Sequence, residues 1–172
     1  GNTIMIFQKS GLKGEIETTL PIEKISVSNQ GIVSAILKNE STPQIISYDA
    51  VGNILVEHQV NLNSTGYPIS LDMSADGENL MVSYLSTKNG TLKSMVAFYN
   101  FGKEGQEKTD NLIYTEDFEQ TVVPDVFYMD ASTSVAVGDR SFVIYEGTKS
   151  VKKKTEVKLN QEIRSEFHSD RY

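Results

Sequence analysis

Apolar and polar residues alternate along this chain in short runs that end in turns, the period-two signature of β-strands. Four runs share one design, a β-branched or apolar stretch that ends in an aromatic and then a polar residue: NTIMIFQ at residues 2–8, QIISYD at 44–49, MVAFYN at 95–100 and SFVIYE at 141–146. Aligning Phe7, Tyr48, Tyr99 and Tyr145 gives separations of 41, 51 and 46 residues. A period of about 40–50 residues is that of the four-stranded blade of a β-propeller. Aromatics repeated at one blade position pack between neighbouring sheets, so Tyr48, Tyr99 and Tyr145 are expected in the core rather than on a stacking surface for ligand.

The rest of the unit falls around these strands. A first strand alternates apolar and polar residues and enters a turn at residues 25–31, 71–77 and 127–133, and a second apolar strand follows at 32–37, 80–85 and 135–137. After the aromatic third strand, a fourth closes the unit at 54–60, 112–115 and 155–159. The turns differ in strength: Asp76-Gly77 is a strong hairpin signal and Gln30-Gly31 a fair one, whereas neither Ser132 nor Thr133 readily takes φ > 0.

The expected fold class is therefore all-β, with consecutive four-stranded antiparallel blades. Three whole blades lie at residues 21–62, 63–118 and 119–160, between the end of a blade at 1–20 and the start of another at 161–172. In the first partial unit, strands at 4–7 and 15–20 flank residues 11–14 as their turn; in the last, Asp170-Arg171 stands where a turn would begin. Each blade buries a face on its neighbour, so an incomplete ring leaves apolar faces and unpaired edges in water. A closed ring takes about four to eight blades, and the two ends together supply only a fourth unit. Either the terminal halves pair so that the chain is a single small closed propeller-like domain, or it is a piece of a larger propeller completed by another copy or a second fragment; the pattern favours the piece. A β-sandwich of meander topology is the alternative, with two packed sheets in place of radial blades.

Charge removes some partners. Twenty-three acidic against 16 basic residues leave a net charge of −7, which repels nucleic acid and anionic headgroups, so neither nucleic acid nor direct membrane contact is expected. The one basic run, Lys152-Lys153-Lys154, lies between strand-like stretches and reads as a solvated hairpin loop. The absence of cysteine excludes disulfides, thiolate nucleophiles and Cys-based zinc sites and leaves the redox compartment open. No run of 18 apolar residues occurs and no signal-peptide order opens the chain. Gly1, followed directly by strand-like residues, has the look of a scar left by tag removal, which would put the natural N-terminus and any membrane anchor upstream.

Candidate chemistry is sparse. Residues 72–77, from Asp72 through Asp76-Gly77, match the first half of a calcium loop, but the twelfth position is Ser83 in an apolar strand, where a bidentate Glu is required. They read as a hairpin turn with Asp72 facing away from the core. His58 and His168 lie in different repeats with no spacing that makes a metal pair and no nucleophile elbow beside them; surface or satisfied structural roles are expected. Residues 103–117 form the longest polar insertion and account for the 51-residue spacing; such insertions often carry a propeller's binding function, but a solvated mobile hairpin is the favoured reading of this one. Gly102 and Gly105 lack the spacing of a phosphate-binding loop. Asn39, Asn63 and Asn89 begin N-glycosylation triplets in expected loops. No catalytic, cofactor-binding or metal residue is assigned, and no cofactor is implied.

Those strands, with SADG at 74–77, ISYDAVGN at 46–53 and FYNFG at 98–102 between apolar runs, resemble blades of the WD40-like and quinoprotein-like propellers. More narrowly, the chain is similar to a domain-of-unknown-function family of Gram-positive bacteria. That resemblance implies a propeller carried outside the cell behind one N-terminal membrane helix, with no catalytic or cofactor residue to carry over. The functional expectation is a non-enzymatic binding or scaffolding module on a bacterial cell surface, taking a protein or glycan ligand at its blade loops; a cytoplasmic place is the alternative. A propeller enzyme, a glycan lyase or hydrolase, is the second reading, with Asp72, Asp125 and Asp130 lining the central channel as paired carboxylates.

Overall fold

The computed structural model describes residues 1–8, 11–28 and 30–159. Strands β1 (Thr3–Gln8) and β2 (Gly11–Glu17) form a two-stranded sheet. Three four-stranded antiparallel meanders follow, here called the first, second and third blades. The first holds β3 (Ile22–Val27), β4 (Val33–Leu37), β5 (Gln44–Tyr48) and β6 (Ile54–Gln59). The second holds β7 (Tyr67–Met73), β8 (Asn79–Lys88), β9 (Thr91–Asn100) and β10 (Leu112–Glu119), and the third β11 (Asp125–Tyr128), β12 (Thr133–Val137), β13 (Ser141–Glu146) and β14 (Lys152–Lys158). Two single-turn helices interrupt the strands, α1 (Leu62–Thr65) between the first and second blades and α2 (Lys103–Gln106) after β9.

The first strands of the blades run side by side, β7 lying against both β3 and β11. Side chains cross between them: Tyr67 donates to Glu23 Oε2 at 2.7 Å, and Lys24 Nζ lies 4.0 Å from Asp125 Oδ1. Successive meanders joined along their innermost strands are propeller architecture, and four separate sheets dispose of the two-sheet sandwich.

Apolar side chains fill the gaps between sheets. Ile4 and Ile16 meet Ala35, Leu37 and Ile46 between the two-stranded sheet and the first blade. Ile36, Ile45 and Val56 meet Leu71, Val82 and Ala97 between the first and second; Met81 and Phe98 meet Val126 and Val143 between the second and third. The sheet of the second blade is thus buried on both faces, which explains its nearly unbroken apolar strands. The serines that give these strands a polar alternation are internal stitches: Ser34 bonds Ser47 at 2.8 Å, and Ser83 and Ser94 donate to the carbonyls of Val123 and Thr121 at 2.7 Å each.

The repeated aromatics follow the same logic. Tyr48, Tyr99 and Tyr145 each enter the core shared with the preceding sheet, and burying a side chain of this size contributes about 2–3 kcal/mol. Phe7, their equivalent in β1, is 66% exposed. Met5, on the same face of β1, is also exposed, because among the described residues no sheet precedes this one.

Several local expectations are corrected. Gln8 pairs with Gly11, so residues 11–14 lie in β2 rather than in a turn. Lys152-Lys153-Lys154 opens β14 instead of forming a loop, where exposed lysines protect an edge strand from pairing with other chains. Strands β8 and β9 are ten residues each and meet at Asn89-Gly90, whose φ of 54° and 78° make the tight two-residue hairpin that Asn-Gly favours. Asn63 lies in α1, not a loop, capped by the Asn61 side chain. The turn before β12 closes without positive φ because Asp130 Oδ1 accepts from the amides of Ser132 and Thr133 at 2.9 and 2.7 Å. Residues 161–172, with His168 and the expected start of a further blade, lie outside the described residues.

Candidate functional site

Of the three carboxylates expected to line a channel, Asp72 is placed contrary to the sequence reading: it is 1% exposed and points into the junction of three blades. Its Oδ2 accepts from the amide of Tyr128 on β11 at 2.7 Å, and its Oδ1 accepts from the Ser26 hydroxyl on β3. One side chain of β7 therefore ties both neighbouring inner strands. Tyr128, buried beside this charge, has its phenol pKa raised by burial first and by Asp72 second. Asp130 is held below the usual carboxylate range by hydrogen bonds within its own turn, and Asp125 faces Lys24. Acid–base catalysis needs two carboxylates presented to a substrate; these three serve as strut, turn cap and ion-pair partner.

The recess that brings together features of different repeats lies at the seam of the first two blades. It is a cavity of about 210 Å³. Its lining includes the apolar Ile45, Val56 and Leu80 and the ring-bearing His58, Tyr99 and Phe101. His58 reaches in from β6 because its strand neighbours Glu57 and Gln59 point the other way. Its ring lies 5.7 Å from that of Tyr99, tilted by 46°. Tyr99 is fixed in turn by a 2.7 Å hydrogen bond between its hydroxyl and that of Tyr84, both buried. Burial lowers the His58 pKa, partly opposed by Asp110, so the imidazole is neutral at neutral pH. Burial raises the phenol of Tyr99, with Asp110 adding to the effect.

The rim comes from the long polar insertion, which folds into α2 and a tight turn at Thr109–Asn111. Asn100, at the end of β9, organises it: its Oδ1 accepts from the amides of Gly102 and Gly105 at 3.0 and 3.1 Å, and its Nδ2 donates to Asn79 Oδ1 at 2.8 Å. The carbonyl of Asn100 accepts from Asn111 Nδ2 at 3.2 Å. Gly105 lies so close to that carbonyl that a Cβ would come within 1.7 Å of it. After α2, a tight turn at Thr109–Asn111 puts both Asp110 (φ 56°) and Asn111 (φ 61°) in left-handed backbone, a conformation costing about 1–3 kcal/mol per residue that persists only where surrounding bonds impose it. The turn carries Asp110 to the cavity lining.

His58 and the insertion, read separately in the sequence, thus form one site together with Tyr99, which was read only as core. No local spacing signalled the meeting, because the two elements belong to different repeats and join only when blades stack. Elsewhere, a wider, more open basin runs along the outer edges of β10 and β14, where Glu116 and Lys153 pair at 2.9 Å. Among the described residues no group of three His, Cys, Asp or Glu side chains is arranged to hold a metal ion, and no helix is long and apolar enough to cross a membrane.

No curated protein matches the sequence. The model of a family described as "Family of unknown function (DUF5711)" matches residues 1–172. Among solved structures, the chain is similar to the crystal structure of Kluyvelomyces marxianus Hsv2, at 13% identity and a TM-score of 0.56, over 92% of this chain and 56% of that one. It is also similar to KlHsv2 with loop 6CD replaced by a Gly-Ser linker, at 13% identity and a TM-score of 0.58, over 91% and 52%. These neighbours are propeller proteins, and the likeness establishes the fold alone. The chain spans about half the length of the structures it matches.

Proposed function

The chain belongs to a family of unknown function, DUF5711, and from its geometry we propose that it is a non-enzymatic binding or scaffolding module of propeller type. The observation that carries this reading is the contrast between its two polar centres. The inner carboxylate, Asp72, is enclosed and bonded to both neighbouring strands, whereas the seam cavity is recessed, aromatic-walled and rimmed by a turn held in strained backbone. A propeller uses its sheets to fix position and its loops to contact ligand. The reading places a protein or glycan ligand on the loops at this seam. The resemblance to anchored propellers of Gram-positive bacteria supports a place outside the cell, behind a membrane anchor. The exposed Phe7 face supports completion of the ring by another copy or fragment.

The test is a binding screen of the purified chain on glycan and peptide arrays, with Asp110→Asn and His58→Gln proteins beside it. The expected result is at least one ligand class retained by wild type and lost by both variants, without release of cleaved product. Turnover of an arrayed glycan, abolished by Asp72→Asn in a protein that remains folded, would establish the enzyme instead.

A further inference from the structure

We propose that the seam cavity is a binding site for an organic ammonium group. The inference rests on the binding-module reading and adds the chemistry of the ligand. Three features of the cavity converge on a cation. The first is the aromatic lining: an ammonium within about 6 Å of ring centroids gains favourable contact with their negative faces, and Tyr99 and His58, whose rings pack 5.7 Å apart, both line the cavity together with Phe101.

The second is the sign of the mouth. Asp110 brings negative charge to the lining, which has no Lys or Arg among the described residues, whereas the Glu57 side chain lies on the other face of β6, beside Tyr48. Asp110 acts electrostatically on both rings, so the field it sets reaches the cavity. Burial keeps His58 uncharged at neutral pH, so the imidazole contributes a face and not a competing cation. The whole chain, at −7, adds long-range attraction for cations.

The third is size and rigidity. At about 210 Å³ the cavity is smaller than sites that enclose drug-sized ligands, roughly 300–1,000 Å³; it takes a head group or the end of a side chain. Its walls are set in advance by the Tyr84–Tyr99 bond and by the Asn100 network that fixes the rim. An anion finds no Lys or Arg among the described residues of the lining, and an ammonium gains from Asp110 a charge attraction that an uncharged ligand lacks.

The experiment titrates the full chain, by NMR of the aromatic side chains, with choline, with its uncharged analogue dimethylbutanol, and with inorganic phosphate. An Nα-acetyl-lysine amide and glucosamine distinguish a protein side chain from an amino sugar as the natural source. Choline and at least one of the two amines are expected to shift the His58 and Tyr99 ring signals saturably. Asp110→Asn, at an exposed position that leaves the melting temperature unchanged, is expected to weaken choline roughly tenfold. Equal shifts from dimethylbutanol, or tighter binding of phosphate at the same residues, would overturn the cation assignment and leave the binding site standing. If none of the probes shifts these rings, the cation assignment falls; if the array screen also finds no ligand, the binding reading falls with it.

Discussion

Removing the Asp72 carboxylate should unfasten three blades at once. In Asp72→Ala the Tyr128 amide, buried on β11, loses its acceptor and the Ser26 hydroxyl loses its partner. A buried donor left unsatisfied costs about 1–3 kcal/mol, and hydrogen bonds to a charged group are each worth about 1.5–3 kcal/mol. These overlap because the same bond is counted from both sides, so the expected loss is about 3–5 kcal/mol. That is a large part of the 5–15 kcal/mol by which a domain of ordinary stability is folded. For a chain of this size it corresponds to a fall of roughly 6–20 °C in melting temperature. Asp72→Asn keeps one acceptor of the same shape, and Ser26 can turn its hydroxyl to accept from the new amide, so about 1–2 kcal/mol is expected. Ser26→Ala alone should cost about 1 kcal/mol. Urea unfolding checks this through the midpoint at unchanged slope, and the Asp72→Ala/Ser26→Ala double variant should fall short of the sum of the single losses. An Asp72→Ala protein within about 0.5 kcal/mol of wild type, or strict additivity with Ser26→Ala, would refute the strut.

Other sites give separate tests. His58 has a folded pKa below its unfolded value, so its contribution is full above the unfolded pKa of about 6.5 and is lost as pH falls through the folded one. Urea midpoints at about pH 8 and about pH 5 should therefore differ more for wild type than for His58→Gln; an equal difference would show that Asp110, the charge that acts on the ring, already offsets its burial. Gly105→Ala drives a Cβ against the Asn100 carbonyl; amide exchange in residues 100–111 should rise and affinity at the seam should fall, while exchange in the third blade stays unchanged. Lys153→Ala leaves Glu116, whose side chain is 13% exposed, without its 2.9 Å partner at the outer edge of the second and third blades. A loss of about 1 kcal/mol that shrinks with added salt is expected, and a salt-independent loss would assign the effect to packing of the lysine stem. Phe7→Lys should leave thermal stability intact and reduce concentration-dependent association in sedimentation; unchanged association would free that face from any role in contacts between copies.

The blade repeat was legible because it is a local signal. Each aromatic strand carries its own alternation, and the shared place of Tyr48, Tyr99 and Tyr145 between sheets follows from stacking identical units. What escaped were effects that depend on which sheet lies opposite. Asp72 reads as a polar residue on the outward side of an alternating strand, yet the inner strands pack so closely that its outward side is another blade. The lysine run reads as a loop by charge, but an edge strand tolerates exposed lysines as well as a loop does. The Asn89-Gly90 hairpin carries a direct signal in the sequence, and the strands beside it run beyond their apolar segments, to Lys88 and from Thr91. The cavity itself had no signature, since His58 and Asp110 are 52 residues apart and meet only through the seam.

The measurement that bears most directly on the proposed function is the imidazole signal of His58, assigned by its loss in His58→Gln, followed while wild-type protein is titrated with whatever ligand the arrays return. Binding at the seam requires a saturable one-to-one shift of that signal, weakened by Asp110→Asn, with the ligand recovered intact. A ligand that saturates the protein while His58 stays unmoved, or that is consumed during the titration, would contradict it.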